Sequence, residues 1–169
     1  PGLQASALIR GGGQERGLRA GTENVAAIAG FGLAAELARD GLDDAGRQVS
    51  LRDGLESSIR EFAPRTEIFG YAAPRLPNTS CFTMPGVLAE TQVVALDLEG
   101  VAVSAGAACS SGKVAPSRVL RAMGVDEDLA KCAIRVSLGW GTEKADVDHF
   151  LQTWGLLCSR KGTLATEAA

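Results

Sequence analysis

At 169 residues, with 46% hydrophobic and 22% charged content, the chain has the make-up of an ordinary soluble protein, one domain or one and part of another, with a real buried core. Net charge is -3 and the arginines are scattered instead of striped, so nothing recruits nucleic acid or an anionic membrane. No apolar run is long enough to span a bilayer, and the opening P-G-L carries neither an initiator Met nor a signal pattern, so the chain reads as starting in the middle of something.

Residues 3–9 form a short, mildly apolar lead-in, followed at 10–22 by R-G-G-G-Q-E-R-G-L-R-A-G-T. Five glycines and three arginines make this a loop whose backbone can approach another group closely. Thr22 stands in N-cap position for a helix through Val25, Ile28, Phe31, Ala35 and Leu37. A hydroxyl and free amides there, with Arg16 and Arg19 close by, suit an anion such as phosphate; a plain glycine-rich connection capped by Thr22 is the competing reading.

A second helix is expected through Val49, Leu51, Leu55, Ile59 and Phe62, ending at Pro64, with Gly41 and Gly46 marking a break before it. Residues 66–71 and 79–83 then read as short strands among Pro74, Pro77 and Pro85. Residues 88–98 read as a helix closed by Gly100, and 101–104 as a strand. That strand delivers residues 104–113, S-A-G-A-A-C-S-S-G-K, where Cys109 sits among residues too small to bury it. The loop is either a plain surface loop with an incidental cysteine or the mount of a reactive thiol able to reach a partner molecule.

Beyond the loop, Pro116-Ser117 opens a short helix closed by Gly124, and Asp126 caps another ending near Lys131. Residues 133–138 alternate, with Ile134, Val136 and Leu138 on one face and Arg135 on the polar one. Arg135 is thus either a surface arginine of an edge strand or a rigidly held guanidinium suited to a carboxylate. A last helix from Thr142-Glu143 carries Val147, Phe150, Leu151, Trp154 and Leu157 at core spacing, and His149 on a solvated face; residues 163–169 read as a frayed tail. Cys81, Cys109, Cys132 and Cys158 lie far apart, with no C-x-x-C pair or neighbouring histidine to hold zinc. Free thiols in a reducing, cytoplasmic setting and no metal site are expected, in an α+β layer of sheet against helices.

Three segments together resemble cysteine desulfurases of the NifS/IscS type, fold-type I members of the class-V aminotransferases that use pyridoxal phosphate. They are residues 11–25, G-G-G-Q-E-R-G-L-R-A-G-T-E-N-V; residues 103–113, V-S-A-G-A-A-C-S-S-G-K; and residues 133–139, A-I-R-V-S-L-G. The resemblance implies conversion of L-cysteine to L-alanine, with Cys109 taking the sulfur as a persulfide for an acceptor such as an iron–sulfur scaffold protein. It implies that Arg135 pairs with the substrate carboxylate. It also implies that Thr22 reaches the cofactor phosphate across a homodimer.

The chain departs from the family in one large respect. The Schiff-base lysine should follow a histidine upstream of this segment, and the lysines here are only Lys113, Lys131, Lys144 and Lys161. The expectation is therefore the C-terminal portion of a desulfurase: the end of the large domain at residues 1–40, the small domain carrying the cysteine at 41–162, and the tail at 163–169. Activity would require an N-terminal half. A selenocysteine lyase or related class-V enzyme is the nearest alternative, and a non-enzymatic sulfur-carrier module the more distant one.

Overall fold

The computed structural model describes residues 6–105 and 117–166, with side chains as far as residue 160. Cys109 and Lys113 lie outside the described residues. The chain divides into two compact units, Pro1–Asp43 and Asp44–Ala169.

In the first unit the glycine-rich loop closes on itself, the Ala20 amide donating to the Ile9 carbonyl at 3.0 Å. Closure brings Gly11 so near Ala20 that a Cβ there would lie 2.8 Å from the alanine methyl, a contact only glycine avoids. Helix α1, Val25–Asp40, follows and buries none of its residues, so that Val25, Ile28, Phe31, Leu33 and Leu37 stand exposed. Its N-cap is Asn24, whose side-chain oxygen accepts from the Ala27 amide at 3.1 Å. Thr22 is therefore not the cap. Asparagine two residues on supplies the better-placed acceptor, and the threonine stays outside the helix. A 3-10 turn, Gly41–Asp44, makes the expected break after α1.

The second unit is a three-stranded antiparallel sheet with helices packed on it. In chain order it runs α2 (Ala45–Phe62), β1 (Thr79–Thr83), α3 (Ala89–Leu98), β2 (Ser104–Ala105), α4 (Arg118–Ala122), α5 (Glu127–Lys131), β3 (Ala133–Ser137) and α6 (Lys144–Thr166). The spatial order is β1-β3-β2, which makes β3 the central strand. Residues 66–71, expected as a strand, make only a single bridge, Ile68 to Phe82. Gly70, at φ +70°, turns the chain away before a ladder can extend. The expected frayed tail is likewise corrected at its start. Helix α6 runs on through Thr166, with Leu164 and Ala165 among good helix formers and no proline to stop it.

Period-2 alternation divides the sheet into two faces. Phe82, Ile134 and Val136 enter the main core with Leu55 and Ile59 of α2, Leu96 of α3, and Val147, Phe150 and Trp154 of α6. Trp154 is the fully buried hub, edge-on to Phe82 with ring centroids 5.5 Å apart. Its indole N–H donates to Gln92 Oε1 at 3.1 Å. Gln92 Nε2 donates at 2.8 Å to the carbonyls of Val87 and Cys132. This buried amide thereby ties α6 and α3 to the residue just before β3, with every polar atom of the amide satisfied. On the opposite face a smaller cluster of Phe69, Leu120, Ala130 and Ala133 covers one end of the sheet, with Cys81 packed against it.

Candidate active site

On that second face, beside the part the small cluster covers, the middle of β3 carries Arg135. The guanidinium is solvent-exposed although its strand is the central one, so the edge-strand reading is corrected. Residues directly opposite in an antiparallel pair share a face, and Arg135 is opposite Cys81 on one side and Ser104 on the other. Backbone pairing with both neighbours fixes its Cα in the sheet. Yet among the described residues no carboxylate, carbonyl or hydroxyl pairs with the guanidinium. A rigidly seated, unneutralised arginine beside serine and thiol side chains is suited to a carboxylate brought by a ligand.

Ser104 also marks where the chain departs. Strand β2 is two residues long, and Cys109 comes four residues after its last one, Ala105. Cys81 and Ser104 are neighbours that local sequence patterns do not reveal, because register is a long-range property. The one signal was alternation in T-S-C-F-T and in A-I-R-V-S, which allows the thiol and the guanidinium to share a face.

Burial pushes the Cys81 thiol up from 9.0 to about 11, while the positive charge of Arg135 pulls the other way and does not win. Cys81 is therefore a protonated thiol at neutral pH, unsuited to act as nucleophile. In the unfolded chain the thiol ionises near its ordinary value, whereas in the folded chain it holds its proton longer. Its contribution to stability is thus complete below about pH 9 and is lost as pH rises through about 11. Two results are expected: iodoacetamide at neutral pH leaves Cys81 unlabelled in the native protein but labels it in denaturant, and Cys81→Ala flattens the alkaline decline in unfolding free energy. Rapid native labelling, read by peptide mass spectrometry, would overturn the assignment.

Thr22 belongs to the other unit. Its carbonyl accepts weakly from Arg19 Nη1 at 3.5 Å, and among the described residues nothing hydrogen-bonds its exposed hydroxyl. Gly21, at φ +92°, sets the turn just before it. Because Asn24 does the capping, the threonine hydroxyl is left available to an external acceptor, and a phosphate fits that donor and the nearby arginine charge. The described lysines are otherwise engaged: Lys131 with Glu127 and Asp128, Lys144 with Asp148. The Lys131 ammonium is pushed up by the Glu127 and then the Asp128 hydrogen bonds, the reverse of what an amine that must add to a carbonyl needs. The residues present thus fit the phosphate end of a pyridoxal cofactor, and the described lysines do not fit its attachment. His149, expected on a solvated face, is exposed but tied, its Nε2 3.0 Å from the Glu99 carbonyl.

Residues 9–150 match the aminotransferase class-V family. The chain belongs to that family. Among curated relatives, this class-V chain is 47% identical over 151 residues to a cysteine desulfurase of Cereibacter sphaeroides, covering 89% of the chain and 38% of the relative. It is 39% identical to cysteine desulfurase NifS of Azotobacter vinelandii, with the same two coverages. Among solved structures, the NifS-like protein from Rickettsia africae aligns with a TM-score of 0.76 at 37% identity, over 90% of this chain and 39% of that one. The α+β, fold-type I architecture expected from the motifs is the one the class-V chain shares with these proteins. It spans about 38% of the length of the curated relatives it matches.

Proposed function

We propose that this class-V chain supplies the nucleophile, the substrate clamp and a cofactor-phosphate contact of a pyridoxal-phosphate-dependent cysteine desulfurase. The observation that carries the reading is Arg135: a guanidinium seated on the central strand without a counter-ion among the described residues, one strand away from the chain that leads to Cys109. Arg135 takes the carboxylate of L-cysteine as a fork, which fixes the amino acid against rotation about its own axis. Cys109, as a thiolate, attacks the substrate sulfur. The carbon–sulfur bond breaks, its electron pair stays with the β-carbon, which takes up a proton, and the products are L-alanine and a Cys109 persulfide. L-cysteine and one thiol thus give L-alanine and one persulfide, with no external oxidant or reductant.

Pyridoxal phosphate, when bound, supplies the electron sink that activates the amino-acid carbons. Thr22 donates its hydroxyl to that cofactor's phosphate across a homodimer, which assigns the glycine-rich loop a task a pure carrier would not have. The nucleophile on a small-residue segment then meets two requirements at once: reaching the substrate, and handing the terminal sulfur to an acceptor protein of the iron–sulfur scaffold class.

The test is to incubate the polypeptide that carries these 169 residues, loaded with pyridoxal phosphate, with L-cysteine and a thiol reductant. Equal amounts of L-alanine and sulfide are expected. A carrier module would release no alanine, which would refute the reading. L-selenocysteine run in parallel separates a desulfurase, active on both, from a lyase restricted to selenium.

A further inference from the structure

The desulfurase reading leaves one charged feature of the second unit unused. Helix α2 presents Asp53, Ser57 and Arg60 at i, i+4 and i+7, on the same side as Arg52, to a cavity of about 650 Å³ closed by Tyr71 and Arg75. Its walls are held from below. Glu56, only 1% exposed, accepts from both Nη atoms of Arg75 at 2.6 Å and from Ser80 Oγ at 2.7 Å, which pins the residue 70–77 segment to the helix. Arg52 donates to the Leu76 carbonyl at 2.9 Å through Nη1 and to Asp53 through Nε and Nη2.

Arg60 is different. Its guanidinium carbon lies 3.8 Å from the centroid of the Tyr71 ring, and among the described residues it has no carboxylate or hydrogen-bond partner. Arg75 lies 5.7 Å from the same ring. Two guanidinium groups therefore share one ring, and three line the cavity against one lining carboxylate, Asp53, with the buried Glu56 behind Arg75. The stacked arginine is held by its face while its N–H edges stay free, the arrangement that makes arginine an oxyanion receptor.

We propose that this cleft binds a small phosphate-bearing molecule, with Arg60 as the principal donor and Ser57 and the unused N–H groups of Arg52 and Arg75 completing the set. The charge state follows from the pairs already present. Arg52 and Arg75 each face a carboxylate, so a monoanion gains mainly from Arg60, whereas a dianion attracts all three and relieves the repulsion between the two guanidinium groups at Tyr71. The cavity exceeds what bare phosphate needs, which favours a phosphate monoester of small-metabolite size. None of these residues belongs to the substrate clamp or to the glycine-rich loop, so the cleft stands whether or not the desulfurase reading does.

Isothermal titration calorimetry of the polypeptide that carries these 169 residues, loaded with pyridoxal phosphate, with inorganic phosphate and with glycerol 3-phosphate, at low ionic strength and a pH where both are dianions, tests this. Saturable binding is expected, with the ester at least as tight as phosphate. Arg60 is exposed, so Arg60→Gln should keep the thermal melt of the wild type while weakening both ligands about tenfold. Tyr71→Leu, which removes the stacking support, should weaken them in the same direction. Absence of saturable binding, equal affinity in Arg60→Gln, or loss of binding in Arg135→Ala, which would put the anion at the substrate clamp, would each overturn the proposal.

Discussion

Arg135→Ala is expected to lower kcat/KM for L-cysteine by about two to three orders of magnitude, the loss of one hydrogen-bonded charge pair to the substrate. Arg135→Lys should fall between, about tenfold below wild type, because an ammonium keeps the charge but not the fork. Product inhibition by L-alanine should weaken in parallel, since the amino acid presents the same carboxylate. Stability is the control. The guanidinium is exposed and makes no hydrogen bond among the described residues, so the melting temperature should move by no more than about 2 °C. A variant with unchanged KM for L-cysteine and unchanged inhibition by L-alanine would remove Arg135 from the substrate site.

Cys109→Ser is expected to cut sulfide release to less than about one-thousandth of wild type, because an alkoxyl oxygen cannot take up and carry sulfane sulfur as a thiolate does. The peptide containing Cys109 should gain the mass of one sulfur atom in the wild type after exposure to L-cysteine, and the serine variant should show no such gain on any peptide. Cofactor absorbance should persist, since neither Thr22 nor the site of attachment has been altered. The two substitutions together separate the enzyme from a carrier: a carrier loses its persulfide with Cys109 but is indifferent to Arg135. Cys81 is the internal control. Its protonated thiol should remain free of added sulfur, and labelling there would show that burial does not protect it.

Much of the candidate site was legible in the order of residues. The alternation A-I-R-V-S put Arg135 on the face opposite Ile134 and Val136, and both of those are buried while Arg135 is not. The glycine-serine setting of Cys109 left a plain surface loop and a reactive thiol both open, and that residue lies outside the described ones. The arginine's neighbours, however, were not legible. Cys81 is 54 residues before Arg135 and Ser104 is 31 before it, and nothing within either segment states which will be its partner. The Glu56–Arg75 pair and the Gln92 amide escaped for the same reason, since a buried polar group is recognised only by what satisfies it.

By itself the sequence determined what depends on near neighbours. Strand β1 at Thr79–Thr83 and the capping of α5 by Asp126 follow from side-chain period and from hydrogen bonds that reach no further than three residues. Tertiary structure alone decided the rest. It reduced residues 66–71 to one bridge, and set β3 between β1 and β2 so that Arg135 rests on the middle strand. Strand order and register are fixed by which faces can be buried together, and that balance is struck across the whole core, beyond the reach of any single stretch of residues.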